Sequence, residues 1–198
     1  MPFISNGTTI LDNGAFSVSL GNQILISEQT ASASASIDFT SGIDSTYPIY
    51  YFELINIHPQ NNSVDFKLSF TTDGTNFNAT QTSTYFGSYH AESDAYYGLD
   101  YYTGEDVAQG SPAGIGDNLG GDADESYSGN LYLFNPSSTT FVKHWINRNN
   151  FYEQNSVPNS SFQAGYVNTT SAVTGIRFAM VSGNIDSGTI KLYGIKDS

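Results

Sequence analysis

Apolar and polar side chains alternate along much of this 198-residue chain, and a period of two is the mark of a strand with one buried face and one wet face. The clearest case is SVDFKLSF, where Val64, Phe66, Leu68 and Phe70 point one way and Asp65, Lys67 and Ser69 the other. In residues 171–198, Ile176, Phe178 and Met180 alternate with Arg177 and Ala179, then Ile190 and Leu192 alternate with Lys191 and Tyr193. Between these runs, Ser182-Gly183-Asn184 and Asp186-Ser187-Gly188 tolerate tight-turn dihedrals, so a terminal hairpin is predicted. The run PIYYFELINIHP, closed by Pro48 and Pro59, is apolar almost throughout and predicts a central, largely buried strand.

The rest of the chain extends the pattern. Residues 16–20 and 24–26 flank Gly21-Asn22 and read as a first β element, and TASASAS at 30–36 reads as an edge strand continuing into Ile37 and Phe39. Asp73-Gly74 marks a turn before an extended, Thr- and Tyr-rich strand over 77–90. Residues 91–127 carry nine of the 19 acidic side chains, no Lys or Arg and seven glycines, and predict long surface loops broken by one strand over 96–102. A hairpin is expected across the turn Asn135-Pro136-Ser137-Ser138, with strands through Leu131 and Leu133 and through 141–146. Residues 147–159 read as a polar loop and 162–167 as a further strand.

Nine to eleven strands and no helical periodicity predict an all-β chain folded as a single-domain antiparallel β-sandwich of jelly-roll-like form. Residues 30–198 form the predicted sandwich, and residues 1–29 an N-terminal arm or first β element that offers a place for an anchor.

Composition narrows the function. A net charge of -13 with only six Lys and Arg excludes a basic phosphate-binding stripe, so no nucleic acid is expected, and anionic membranes are disfavoured. No apolar run approaches the ~20 residues of a membrane span, and MPFISNGTTILDN lacks the basic-then-apolar order of a signal peptide. With no cysteine there is no disulfide or thiolate chemistry.

Enzyme signatures are weak. No G-x-S-x-G, phosphate-cradling glycine loop or H-E-x-x-H is present, and His58, His90 and His144 lie far apart without marked partners. The reading is therefore non-enzymatic, with no catalytic residue and no required cofactor. DNLGGDADES supplies hard oxygen ligands, of which Asp117, Asp122, Asp124 and Glu125 are the candidate calcium ligands. Counted from Asp122, however, the sixth loop position is Tyr127 and the twelfth Leu133, which fails the EF-hand pattern. Tyr85, Tyr89, Tyr96, Tyr97, Tyr101, Tyr102 and Tyr127 gather around the acidic segment and form a candidate binding surface, since a phenol ring joins apolar area to a polar tip.

Three stretches, YYFELINIHP, GNLYLFNPSSTTFVKHWI and AGYVNTTSAVTGIRFAMVSGNIDSGTIKLYGIK, resemble small virion-associated proteins encoded by tailed bacteriophages of marine bacteria. The resemblance covers about residues 30–196 and carries no catalytic motif. It implies a β-sandwich on the virion surface, made in the host cytoplasm, that contacts other virion proteins and assembles as a homo-oligomer such as a trimer. Two function classes follow. One is a structural protein, either a capsid decoration (cement) protein or a component of a tail appendage. The other is a receptor- or carbohydrate-binding module of a tail fibre that contacts a host surface glycan. The chain has no heptads or repeats from which to build a fibre shaft, which favours a compact decoration protein or a distal tip.

Overall fold

A computed structural model describes residues 3–5, 8–12, 15–16 and 22–196. Three short N-terminal strands, β1 (Phe3–Ser5), β2 (Thr8–Asp12) and β3 (Ala15–Phe16), pair antiparallel in a small sheet of their own. The remaining thirteen strands form one continuous antiparallel sheet that folds over on itself. They are β4 (Gln23–Thr30), β5 (Ile37–Phe39), β6 (Ile49–Pro59), β7 (Val64–Thr71), β8 (Gln81–His90), β9 (Tyr97–Tyr101), β10 (Ala108–Gly110), β11 (Ala113–Leu119), β12 (Tyr127–Phe134), β13 (Lys143–Glu153), β14 (Val157–Val167), β15 (Gly175–Met180) and β16 (Ile185–Ile195). Among the described residues there is no helix.

The larger layer runs β4-β16-β6-β12-β13-β14-β8-β9, with β10 beside β9 on the β8 edge, and the smaller runs β11-β7-β15-β5. A single bridge, Leu119 opposite Glu153, joins them and nearly closes a barrel-like sandwich. The all-β antiparallel sandwich expected from the alternation is therefore the fold. It contains more strands than the nine to eleven counted in the sequence.

The core lies between the layers. Phe39, Phe178 and Phe66 from the small layer interdigitate with Phe52 and Tyr127 from the large one, ring to ring at 5.2–5.7 Å across the layers. Phe70 packs on Trp145 at 6.5 Å. All seven are fully or almost fully buried. Removing such rings from water supplies the main driving force for closing the two layers.

Four predicted elements differ from those observed. The segment 91–127, expected to be long loops broken by one strand, holds β10 and β11 as well as β9. The terminal strands form as expected at β15 and β16 but do not pair with each other: β15 pairs with β7 and β5, and β16 with β4 and β6. Residues 181–184 carry the chain from one layer to the other, so both apolar faces meet the core without a hairpin. Residues 31–36 are not a strand; β4 ends at Thr30, and the stretch is held to β16 by an isolated bridge, Ser34 to Ile185, and by the Ala31 and Ala33 N–H groups donating to Gly188 O and Asp186 O. Finally, the expected loop over 147–159 is mostly strand, because β13 continues to Glu153 and β14 starts at Val157.

The cause of the last difference lies on the inner face. Asn147, Asn149, Asn159, Ser161 and Gln163 point inward and are buried, so the hydrophobic alternation that announces a strand is missing. Their side chains satisfy one another instead. Asn149 Nδ2 donates to Ile115 O at 2.8 Å and to Asn147 Oδ1 at 2.8 Å, and Ser161 Oγ donates to Asn149 Oδ1 at 2.7 Å. Gln163 Nε2 donates to Ser161 Oγ at 2.8 Å, and Tyr127 OH to Asn147 Oδ1 at 3.1 Å. A polar seam thus fills the interior under β13, β14 and β8, its cost lowered because its groups are paired with one another, Asn159 Oδ1 excepted.

The N-terminal segment divides within residues 1–29. Gln23–Thr30 lies along β16 in the main sheet, from Gln23 opposite Ile195 to Thr30 opposite Thr189. Of the first β element expected at 16–20, residues 17–20 lie outside the described residues.

Candidate functional site

The β8–β9 hairpin builds the site, and strict alternation sorts its tyrosines. Tyr97, Leu99 and Tyr101 sit opposite His90, Ser88 and Phe86, all on the outer face of the larger layer. Tyr97 and Leu99 are each 71% exposed. One residue out of phase, Tyr85 and Tyr89 turn to the inner side, and Tyr102, just past β9, follows them: its ring packs edge-on against Tyr85 at 4.9 Å. Of the seven candidate tyrosines, Tyr85 and Tyr127 are therefore not surface groups. Both are fully buried, Tyr127 stacked on Phe151 and bonded to Asn147 within the core. Tyr96, Tyr97 and Tyr101 are exposed, while Tyr89 and Tyr102 are half-buried.

Two concavities flank the hairpin. On the outer face, Tyr89, His90, Tyr97, Asn150, Pro158 and Ser160 line a shallow cleft of about 470 Å³. At the rim of the sandwich, Tyr89, Tyr96, Asp100, Tyr102, Asp117 and Glu153, with Asn155 and Val157, line a smaller pocket of about 290 Å³. The seam ends here: Asn159 Nδ2 donates to Tyr102 OH at 2.9 Å and to Glu153 Oε1 at 2.8 Å.

Electrostatics distinguish the rim pocket. Burial raises the Asp117 carboxyl, and the neighbouring Asp65 charge raises it further. Glu153 is raised by burial and by repulsion from Asp117, against the hydrogen bond from Asn159. Tyr89 is raised chiefly by its hydrogen bond to Asp100. Behind Asp117, Glu105 is buried and pushed up to about 7, although Lys67 Nζ donates to its Oε2 at 2.5 Å; loss of hydration outweighs that one ammonium.

The candidate calcium ligands are not brought together. Among the described residues, the carboxylates with ligand atoms within 4.8 Å of one another are Asp65, Glu105 and Asp117, from β7, the loop before β10, and β11. Asp122 and Asp124 are exposed on a separate turn near His58, whose Nε2 lies 3.1 Å from Asp122 O. Glu125 is buried and its Oε2 accepts the Asp122 backbone N–H at 2.8 Å, so that carboxylate holds its own turn. Neither Asp65 nor Glu105 stands out in the sequence. They converge only through the pairing of β7 with β11 and the fold-back of Glu105 onto Gly114, whose N–H donates to Glu105 O at 3.0 Å.

The second surface feature is the outer face of the larger layer. Registered rows cross it from strand to strand. One runs Tyr101–Phe86–Phe162–Arg148–Asn130–Glu53–Lys191, and another runs Thr84–Ala164–Ile146–Tyr132–Tyr51–Tyr193. Phe86 and Phe162 stack at 5.4 Å with Arg148 over the Phe162 ring, and Tyr51 packs on Tyr132 at 5.0 Å. Phe86, Tyr97, Leu99, Tyr101, Ile146 and Phe162 are all exposed.

No family model, curated protein or solved structure matches this chain.

Proposed function

We propose that this protein is a non-enzymatic structural component of the surface of a tailed-phage virion, a capsid decoration protein or part of a tail appendage. The observation that carries the reading is the outer face of the larger layer, a broad sheet surface on which exposed aromatic and aliphatic side chains recur from β9 to β13. Exposed aromatic and aliphatic side chains gathered on one face and interleaved with polar groups are the composition of a protein contact surface. The resemblance of residues 30–196 to phage virion proteins supplies the class of partner, a neighbouring virion subunit. The test is to replace Phe162 and Ile146 together by serine. Both are exposed, so the fold is retained, and incorporation into particles is expected to fall by about tenfold or more. Normal incorporation contradicts the reading.

A glycan-binding module of a tail fibre is the second reading. It is favoured by the outer cleft, where the exposed Tyr97 ring stands beside His90, Asn150 and Ser160 and offers one stacking face with polar groups around it. Saturation-transfer NMR against host surface polysaccharide checks it, with Tyr97→Ala abolishing the signal.

A further inference from the structure

We propose that the rim pocket between the β8–β9 hairpin, β11 and the β13–β14 turn binds an organic ammonium group, held by the rings of Tyr89, Tyr96 and Tyr102 and the carboxylates of Asp100, Asp117 and Glu153. This site is separate from the outer sheet face and does not depend on the particle reading.

Four observations converge on it. The pocket is concave and about 290 Å³, at the small end of the ligand-sized range. No Lys, Arg or His is among its lining residues, so three carboxylates face it with no cation of the pocket's own. Asp117 and Glu153 are partly withdrawn from water beside each other, so a ligand that brings positive charge relieves both burial and repulsion. Lastly, the Tyr85 hydroxyl is fully buried and has no hydrogen-bond partner among the described residues. The Tyr85 ring packs edge-on at 4.9 Å against Tyr102, which lines the pocket.

The chemistry selects an organic ammonium over a metal ion or a neutral sugar. A divalent metal needs converging oxygens, and the trio that converges, Asp65, Glu105 and Asp117, already holds the Lys67 ammonium between Glu105 at 2.5 Å and Asp65 at 3.5 Å. Asp100, Asp117 and Glu153 are spread around the wall instead. They are interleaved with phenol rings whose faces attract a weakly hydrated cation. A neutral sugar leaves the three charges uncompensated. The ligand is a quaternary ammonium headgroup or the side chain of a lysine on a partner protein, and the two are separated by the choice of probe.

The experiment is an NMR titration of the full chain with tetramethylammonium chloride, Nα-acetyl-lysine amide, neopentyl alcohol as neutral isostere, and calcium chloride. Saturable shifts at Tyr89, Tyr96 and Tyr102 with one or both cationic probes are expected, and the tighter probe identifies the source. Neopentyl alcohol is expected to produce none. Asp117→Asn and Glu153→Gln are each expected to weaken binding by about tenfold. Tyr96→Leu, at an exposed position where folding is not at stake, is expected to weaken it by about fivefold. Affinity is expected to fall as the pH drops and Asp117 and Glu153 take up protons. The proposal is overturned if neither cation shifts these residues, if the neutral isostere shifts them equally, or if calcium saturates the same residues more tightly than both. It is also overturned if Tyr96→Leu binds as the native chain does.

Discussion

Glu105 carries the most consequential single charge in the fold. Its folded pKa, about 7, lies above the ordinary carboxylate value of 4.5, so folding favours its protonated form. A carboxyl shifted upward contributes no penalty below the unfolded value, and destabilisation grows as pH rises from there through the folded value. Asp117 and Glu153 are shifted in the same direction and add to the trend. Asp44 and Asp73 are shifted downward by hydrogen bonds from Thr46 and from Asn76 and Thr75, and their contribution is lost only in stronger acid. Stability is therefore expected to peak in mild acid, with about 2 kcal/mol lost through Glu105 between pH 5 and 7.5. Thermal unfolding at the two pH values checks this, and Glu105→Gln is expected to flatten the difference. Little of this was legible in the chain. The Tyr-rich acidic segment is obvious, but which tyrosine faces water depends on strand phase, and Glu105 meets Asp65 only through pairing between distant strands. That is why Tyr85 and Tyr127 read as surface groups and are core.

At the level of elements, legibility follows the chemistry of the inner face. β7 and β6 stand out because their inner faces are Val64, Phe66, Leu68 and Phe70, and Tyr50, Phe52 and Leu54. β11 and the middle of the β13–β14 hairpin do not, since β11 is AGIGDNL and the hairpin turns Asn, Ser and Gln inward. A paired polar seam is high-stakes, because removing one member strands several partners. Asn149→Leu leaves Ile115 O, Ser161 and Gln163 short of partners and is expected to cost about 3 kcal/mol, read as a lower denaturation midpoint with unchanged slope. Packing limits β14 in a different way. A Cβ at Gly165 would stand 2.7 Å from the Trp145 ring and 2.8 Å from Thr82 O. Gly165→Val is therefore expected to destabilise the protein by about 2 kcal/mol or more.

For the whole molecule, the sandwich class follows from alternation, while the path between layers does not. The chain passes from one layer to the other between β4 and β5, β5 and β6, β6 and β7, β7 and β8, β10 and β11, β11 and β12, β14 and β15, and β15 and β16. A polar turn that makes a hairpin and one that makes such an arch use the same residues, so the terminal strands were predicted correctly and their pairing was not. The arrangement also moves the boundary of the N-terminal arm. Deleting residues 1–21 spares β4 and is expected to leave the unfolding temperature within a few degrees of the full chain. Deleting residues 1–29 strips β4 from β16 and is expected to lower it clearly. If the arm anchors the protein, the shorter deletion folds but no longer joins the particle. The central claim, that the protein is a built component of the virion surface, is tested most directly by quantifying it in purified virions by mass spectrometry against the major capsid protein. A fixed stoichiometric ratio to the capsid or a tail protein that survives repeated purification is expected, and absence of the protein from purified particles contradicts a place on the virion.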